Sequence, residues 1–512
     1  MKPNIIIFNP DEMRADTLGH LGNPAAHTPF LDEMAKTDAV SFRHAFCQNP
    51  VCVPSRCSFS TGLYPHVNGH RTMAHLLRPG EESIFSELKH NGYYVWMNAR
   101  NDLVSAQDEA SLYYHADEIY YGGNVPKAKG PVNSESAKNP LDFYAMYQGQ
   151  LEIDETGRNY SHDDEDVDAA IFKIKNKPKD KPLFLGLTYP HPPYQVEEPF
   201  FSMIDRSKLA KRISPEECSG KAAIQQAIRN QQNLQDYPES RWSELRATYL
   251  GMVAKVDSQF RRLCDALKEC GEYDNSAIFF FSDHGDFAGD LARSCVCGSV
   301  CDSLVELVDF YATAMEMAGT ASTHTHYGRS LTRVLANRSA VLREFVTCEG
   351  GRNPGEIHCD EFHAGGPDGT SPYSPYYPRH FAQTDPDAHA KGFMIRTKDY
   401  KYISRINEAD ELYDLKQDPE ERFNIISNPQ YAPVLLDMKK KLRLWLMETA
   451  DIVPFNYDKR FSEGMVWAEI KHLVPPEHLE EFREKVKKGI NKFVIAAECQ
   501  RRFGDYWNPD TE

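Results

Sequence analysis

Two uninterrupted apolar runs constrain this chain most: Leu183-Phe184-Leu185-Gly186-Leu187 and Ile278-Phe279-Phe280-Phe281. A half-exposed strand alternates apolar with polar residues. A strand covered on both faces need not, so such runs belong to a sheet buried between helices. Between the runs, Leu245, Tyr249, Val253, Val256, Phe260, Leu263 and Leu267 recur at steps of three and four. That spacing predicts one apolar face of a long amphipathic helix. Residues 4–8, 93–97, 182–188 and 276–282 are the strand candidates, and the fold class read from them is α/β with a mostly parallel central sheet flanked by helices.

Several function classes are excluded at this stage. The formal charge of −17 over 512 residues disfavours nucleic acid, whose phosphates require a basic face. No apolar run approaches the roughly 20 residues of a membrane span. The run Ile5-Ile6-Ile7-Phe8 is too short for a signal-peptide core, so the expected location is cytoplasmic. Cys295, Cys297 and Cys301 form the one local cysteine cluster, and free thiols in a loop are the favoured reading. Residues 350–390 are rich in Gly, Pro, Ser, Tyr and His, which predicts an irregular segment and a domain boundary. The expected division is 1–375 for a catalytic domain and 376–512 for a smaller C-terminal α+β domain with antiparallel strands and terminal helices.

Polar residues follow the predicted strands where ligand sites of parallel sheets lie. Asp11 follows the first strand, Asp283-His284 a later one, and His191 the strand at 182–188. Two carboxylates and an imidazole at one sheet edge suit Ca²⁺, or Mg²⁺ or Mn²⁺. Cys52-Val53-Pro54-Ser55-Arg56 continues to Thr61-Gly62. A helix starting at Pro54 would let Arg56 reach back to residue 52 and would aim its N-terminal dipole there.

The C-x-P-S-R run with T-G five residues past the Arg resembles the type I sulfatases of the alkaline-phosphatase-like superfamily. So do the segments around Pro190-His191-Pro192-Pro193-Tyr194 and Glu411-Leu412-Tyr413-Asp414-Leu415. The resemblance implies that a formylglycine-generating enzyme oxidises Cys52 to an aldehyde. One hydroxyl of its hydrate attacks sulfur, and the other later expels sulfate. It further implies a divalent metal, most often Ca²⁺, on Asp11, Cys52, Asp283 and His284, with Arg56 and Arg100 as catalytic cations and His191 as general acid. The implied substrate is a small sulfate monoester, by analogy a sulfated carbohydrate. His66, His70, Arg71 and Tyr194 are candidate pocket liners.

The chain departs from the family pattern in three places. Glu12 stands where a second Asp is common. Arg100 and Asp102 stand where Lys and His are usual. The segment after Asp286 is short, so a Lys and a strand are expected to be missing, with Arg293 or Arg71 as substitute. These departures leave two alternatives, a phosphonate or phosphate diester hydrolase on the same scaffold and a degenerate non-catalytic homologue.

Overall fold

The structure is a computed structural model. It describes residues 2–98, 102–105, 109–123, 130–133, 139–178, 183–189, 191–286, 288, 301–356, 371, 373–385, 388–452 and 461–509. In chain order the strands are β1 (Asn4–Pro10), β2 (Phe42–Phe46), β3 (Tyr94–Asn98), β4 (Glu118–Tyr120), β5 (Tyr147–Leu151), β6 (Leu183–Tyr189) and β7 (Tyr194–Glu197). They continue with β8 (Ser276–Phe280), β9 (Cys301–Glu306), β10 (Val346–Gly350), β11 (Gly392–Arg396), β12 (Tyr400–Arg405) and β13 (Glu411–Asp414).

The four expected strands form a parallel sheet, joined by one short strand, in the order β4-β3-β6-β1-β8. Successive side chains of a strand point to opposite faces, and the runs Ile5–Phe8 and Ile278–Phe281 use both. Ile6, Phe8, Ile278 and Phe280 pack with the long helix Glu239–Glu269 on one face. Ile5, Ile7, Phe279 and Phe281 pack on the other face, against the helix Cys52–Thr61. All seven periodic residues of the long helix are buried. Phe260 packs its tilted ring against both Phe8 and Phe280, at centroid distances of 5.1 and 4.9 Å, which locks helix to sheet.

The strand expected to be missing after Asp286 is a point of correction, because Cys301–Glu306 forms β9, parallel to β2. It is inconspicuous in sequence because Asp302 and Glu306 break its apolar character. Glu306 is nevertheless buried, since its carboxylate accepts from Tyr64 and the Thr347 amide and pairs with Arg343. Cys301 is a buried thiol near the Arg338 carbonyl. Cys295 and Cys297 lie outside the described residues.

Strands β10-β11-β12-β13 form an antiparallel sheet packed on the helix Ala432–Thr449 through Tyr402, Leu412, Met438, Leu442 and Trp445. The chain divides into compact units at Met1–Ile452 and Val453–Glu512, so the boundary expected at 375 falls inside the first. The reason is β10. It precedes the irregular segment yet pairs with β11 beyond it, which ties the two stretches into one sheet. The second unit has its own core of Ile470, Val474, Phe482, Val486, Ile495 and Cys499.

Candidate active site

Strand register places the polar residues. Phe8 lies opposite Leu187 and Phe280, so three residues further on Asp11 and Asp283 leave the sheet at the same level. His191 follows two residues after Tyr189, the partner of Pro10. Neighbouring parallel strands thus deliver two carboxylates and two imidazoles to one edge.

The helix Cys52–Thr61 begins at Cys52 itself, two residues before the expected start, and every residue in it is buried. Its N-terminus therefore faces whatever residue 52 becomes. The helix stops at Gly62, which caps it in the left-handed conformation at φ +71. A Cβ there would come within 2.9 Å of both Tyr311 and His326, so the Thr-Gly ending is a packing requirement.

Asp11, Cys52, Asp283 and His284 converge, with one ligating atom from each within 4.8 Å of the others and all four residues buried. Cys52 Sγ lies 3.5 Å from Asp11 Oδ1 and 3.2 Å from His284 Nε2. Burial first, then Asp283, pushes the Asp11 carboxyl up to about 6. Burial opposes ionisation of Asp283 too, but His284 and Arg56 outweigh it and hold the carboxyl below its usual range. Burial would lower His284; Asp283, Glu12 and Asp11 raise it to about 9. Two carboxylates and an imidazole so enclosed fit a divalent cation. The soft sulfur at position 52 is the odd member of this hard set, and an oxygen in its place would complete it.

Arg56 lies beside Cys52, and its guanidinium fans across the carboxylates. Nε donates to Asp283 Oδ2 at 2.9 Å, Nη2 to Asp11 Oδ2 at 2.8 Å, and Nη1 lies 3.3 Å from Asp102 Oδ2. Its side chain is 1% exposed, so it forms the floor beneath the cluster. Changing Arg56 to Met leaves Asp11 and Asp283 buried without their counter-charge. The expected cost is about 3–5 kcal/mol, read as a lower denaturation midpoint in urea.

His191 stands at the rim. Its Nδ1 lies 2.9 Å from the Pro192 carbonyl and 3.0 Å from the Tyr376 hydroxyl, which itself donates to Pro192 O at 2.7 Å. A carbonyl only accepts, so Nδ1 carries the hydrogen and Nε2 is left for proton exchange. Nε2 faces Glu12 Oε1 at 3.7 Å. Glu12, held at φ +55, is not one of the four converging residues. Burial, then Asp286, pushes its carboxyl well above the usual range.

A cleft of about 880 Å³ opens over Cys52, His191 and His284. Tyr194 lines it as expected, donating to Asp286 Oδ2 at 2.6 Å. The other candidate liners are held elsewhere. His66 bridges Glu349 and Thr449, His70 contacts Glu81 and the His75 carbonyl, and Arg71 pairs with Glu356. Arg100 and Arg293 lie outside the described residues. Sequence reasoning missed Tyr376, Arg379 and His380, which reach the cleft from the short helix Tyr377–Ala382 and its preceding residue. The signal was present as Tyr376-Tyr377-Pro378-Arg379-His380, an aromatic and basic cluster in a segment read as irregular.

Comparison with known proteins accords with this geometry. Residues 3–329 match the family description "Sulfatase". The chain belongs to the sulfatase family. Residues 370–447 match "N-sulphoglucosamine sulphohydrolase, C-terminal", and that span includes Tyr376 and Arg379. The sulfatase is 24% identical to an arylsulfatase of Clostridium perfringens, over 92% of this chain and 100% of the relative. It is 23% identical to an N-acetylglucosamine-6-O-sulfatase of Bacteroides thetaiotaomicron, over 90% and 91%. Its fold is that of the phosphonate monoester hydrolase of Agrobacterium radiobacter, with a TM-score of 0.64 at 21% identity over 88% and 96% of the chains. The sheet is therefore alkaline-phosphatase-like, and the protein is a sulfuric ester hydrolase.

Proposed function

We propose that this sulfatase hydrolyses sulfate monoesters through a formylglycine made from Cys52, with a divalent cation on Asp11, Asp283, His284 and position 52. The observation that carries the reading is the buried convergence of those four side chains at a helix N-terminus. Cys52 Sγ marks where an oxygen of the aldehyde hydrate would sit. A dication there, Ca²⁺ being the first choice, supplies Lewis acidity and charge neutralisation. Arg56 keeps the two carboxylates aimed. His191 holds a proton at Nε2 for the departing alcohol oxygen, oriented by Tyr376 and Pro192 through Nδ1.

A sulfated carbohydrate is the proposed substrate. The cleft wall carries Tyr237, Trp242, Gln225, Gln232 and Gln235, a mix of ring faces and amides suited to sugar hydroxyls. The name of the N-acetylglucosamine-6-O-sulfatase relative points the same way. The reading includes a cytoplasmic location. A phosphonate or phosphate diester hydrolase is the second reading, favoured by Glu12 lying outside the ligand set while His284 lies within it. A non-catalytic homologue gains nothing from the geometry, since all four ligating side chains come together.

Mass spectrometry of peptide 44–56, after expression with a formylglycine-generating enzyme, tests the nucleophile. Conversion replaces sulfur by oxygen with two hydrogens fewer, a loss of about 18 Da. An unmodified but active protein would overturn the reading. Rates on sulfate monoesters against phosphonate monoesters and phosphate diesters then separate the two activities. Chelator treatment is expected to abolish turnover and lower the melting temperature, because a ligand bound only by the folded state stabilises it. Adding Ca²⁺ back should restore both.

A further inference from the structure

The sulfuryl group leaves as a tetrahedral oxyanion, and the described carboxylates around the site include Asp11, Glu12, Asp283 and Asp286. An anion entering such a place needs cations that face it. Arg56 is the obvious candidate from sequence, but its nitrogens are turned onto Asp283, Asp11 and Asp102 beneath the site. Arg71 is tied to Glu356 and the Gly351 carbonyl. Among the arginines lining the cleft, Arg212 is paired with Glu239 and lies over the Trp242 ring, and Arg229 is paired with Glu216 at 3.2 Å.

Arg379 is differently placed. It enters the cleft from the helix Tyr377–Ala382, among Tyr194, Asp286, Glu12 and Tyr376. Two of those neighbours touch His191. The Tyr376 hydroxyl meets its Nδ1, and the Glu12 carboxylate faces its Nε2. The helix is pinned there by the Tyr376–Pro192 hydrogen bond and by packing against the helix Ala223–Gln231. The guanidinium thus belongs to the same side-chain group as the proposed proton donor, and Arg379 lines the cleft whereas Arg56 does not.

We propose that Arg379 binds the oxyanion of the group being transferred, as the substrate-facing cation that Arg56 cannot be. The inference rests on the sulfate-ester reading above. A planar guanidinium suits the task because its paired donors match two oxygens of a tetrahedral anion. Arg379 lies nearly a hundred positions beyond Asp286, in the C-terminal part of the fold, whereas Arg71, one expected substitute, is paired with Glu356.

The test uses the metal-loaded, formylglycine-bearing protein with inorganic sulfate as probe. Arg379→Gln is expected to weaken sulfate binding, followed by titration calorimetry, by about tenfold to a hundredfold, the scale of one charge-assisted hydrogen bond. KM for nitrophenyl sulfate should rise by a similar factor, and Arg379→Lys should recover part of the loss. Unchanged sulfate affinity in a folded Arg379→Gln protein overturns the proposal. Should that variant not fold, the wild-type protein is treated with phenylglyoxal. Sulfate should slow adduct formation at Arg379, and equal modification with and without sulfate overturns the proposal. Wild-type protein that binds sulfate through Arg379 yet turns over no sulfate ester sinks the sulfatase reading alone. Normal turnover with sulfate binding indifferent to Arg379 sinks this inference alone.

Discussion

Cys52→Ala is expected to abolish sulfate-ester turnover, with kcat falling by a factor on the order of 10⁶, the scale seen when an enzyme loses its nucleophile. The size of the effect follows from where the residue sits. Position 52 starts a wholly buried helix and is the one member of the four-residue cluster that a hydrate could convert from sulfur to oxygen. Alanine is a good helix former, so the backbone should hold and the circular dichroism spectrum should match wild type. Cys52→Ser is expected to be inert as well, unless the host oxidises serine. A serine brings back one oxygen but not the second hydroxyl on the same carbon. Near wild-type turnover in Cys52→Ala would remove the residue from the chemistry.

His191→Ala is expected to show a loss that depends on the leaving group. An alkyl or sugar alkoxide needs a proton as the bond to sulfur breaks, whereas a nitrophenolate departs without one. Turnover of the alkyl sulfate should fall by about 10²–10⁴ while nitrophenyl sulfate is affected far less. The hydrogen bonds at Nδ1 make this specific to Nε2. They fix the ring by its other nitrogen, so the variant loses a proton donor and leaves Tyr376 bonded to Pro192. Equal losses on both substrates would assign His191 a role in binding or packing.

The central sheet and three of the four converging residues were legible because they follow from local rules, while Cys52 was legible through the motif that resembles the sulfatases. Continuous apolar runs mark doubly covered strands, and residues just beyond such strands share an edge once the register is parallel. Asp11, Asp283 and His284 needed only that. Arg56 was legible as a residue of the site but not in its partners, since no spacing rule reveals that its guanidinium bonds Asp11 and Asp283. Tyr376 and Arg379 were hidden for a different reason. Their helix is six residues long, interrupted by Pro378 and set among turn formers, so it carries no periodicity. It is held by tertiary contacts that a linear reading does not contain. Strand β9 escaped notice because buried Glu306 reads as a surface charge until Arg343, Tyr64 and the Thr347 amide are seen around it.

The bond from His66 to Thr449 bears on when the nucleophile can be made. In the finished protein Cys52 is only 5% exposed, held against Asp11 and His284, while the segment just after its helix is fastened to Glu349 and Thr449. The last of these partners is translated roughly 400 residues after Cys52. At a synthesis rate of about 5–20 residues per second, His284, which covers the thiol, follows after about 12–46 s, and the tie to Thr449 only after about 20–80 s. Under the proposed chemistry, a maturing enzyme must act within that interval on the unfinished chain. Slowing translation downstream of Cys52 should therefore raise the fraction of active protein, whereas refolding a purified, unconverted chain should not.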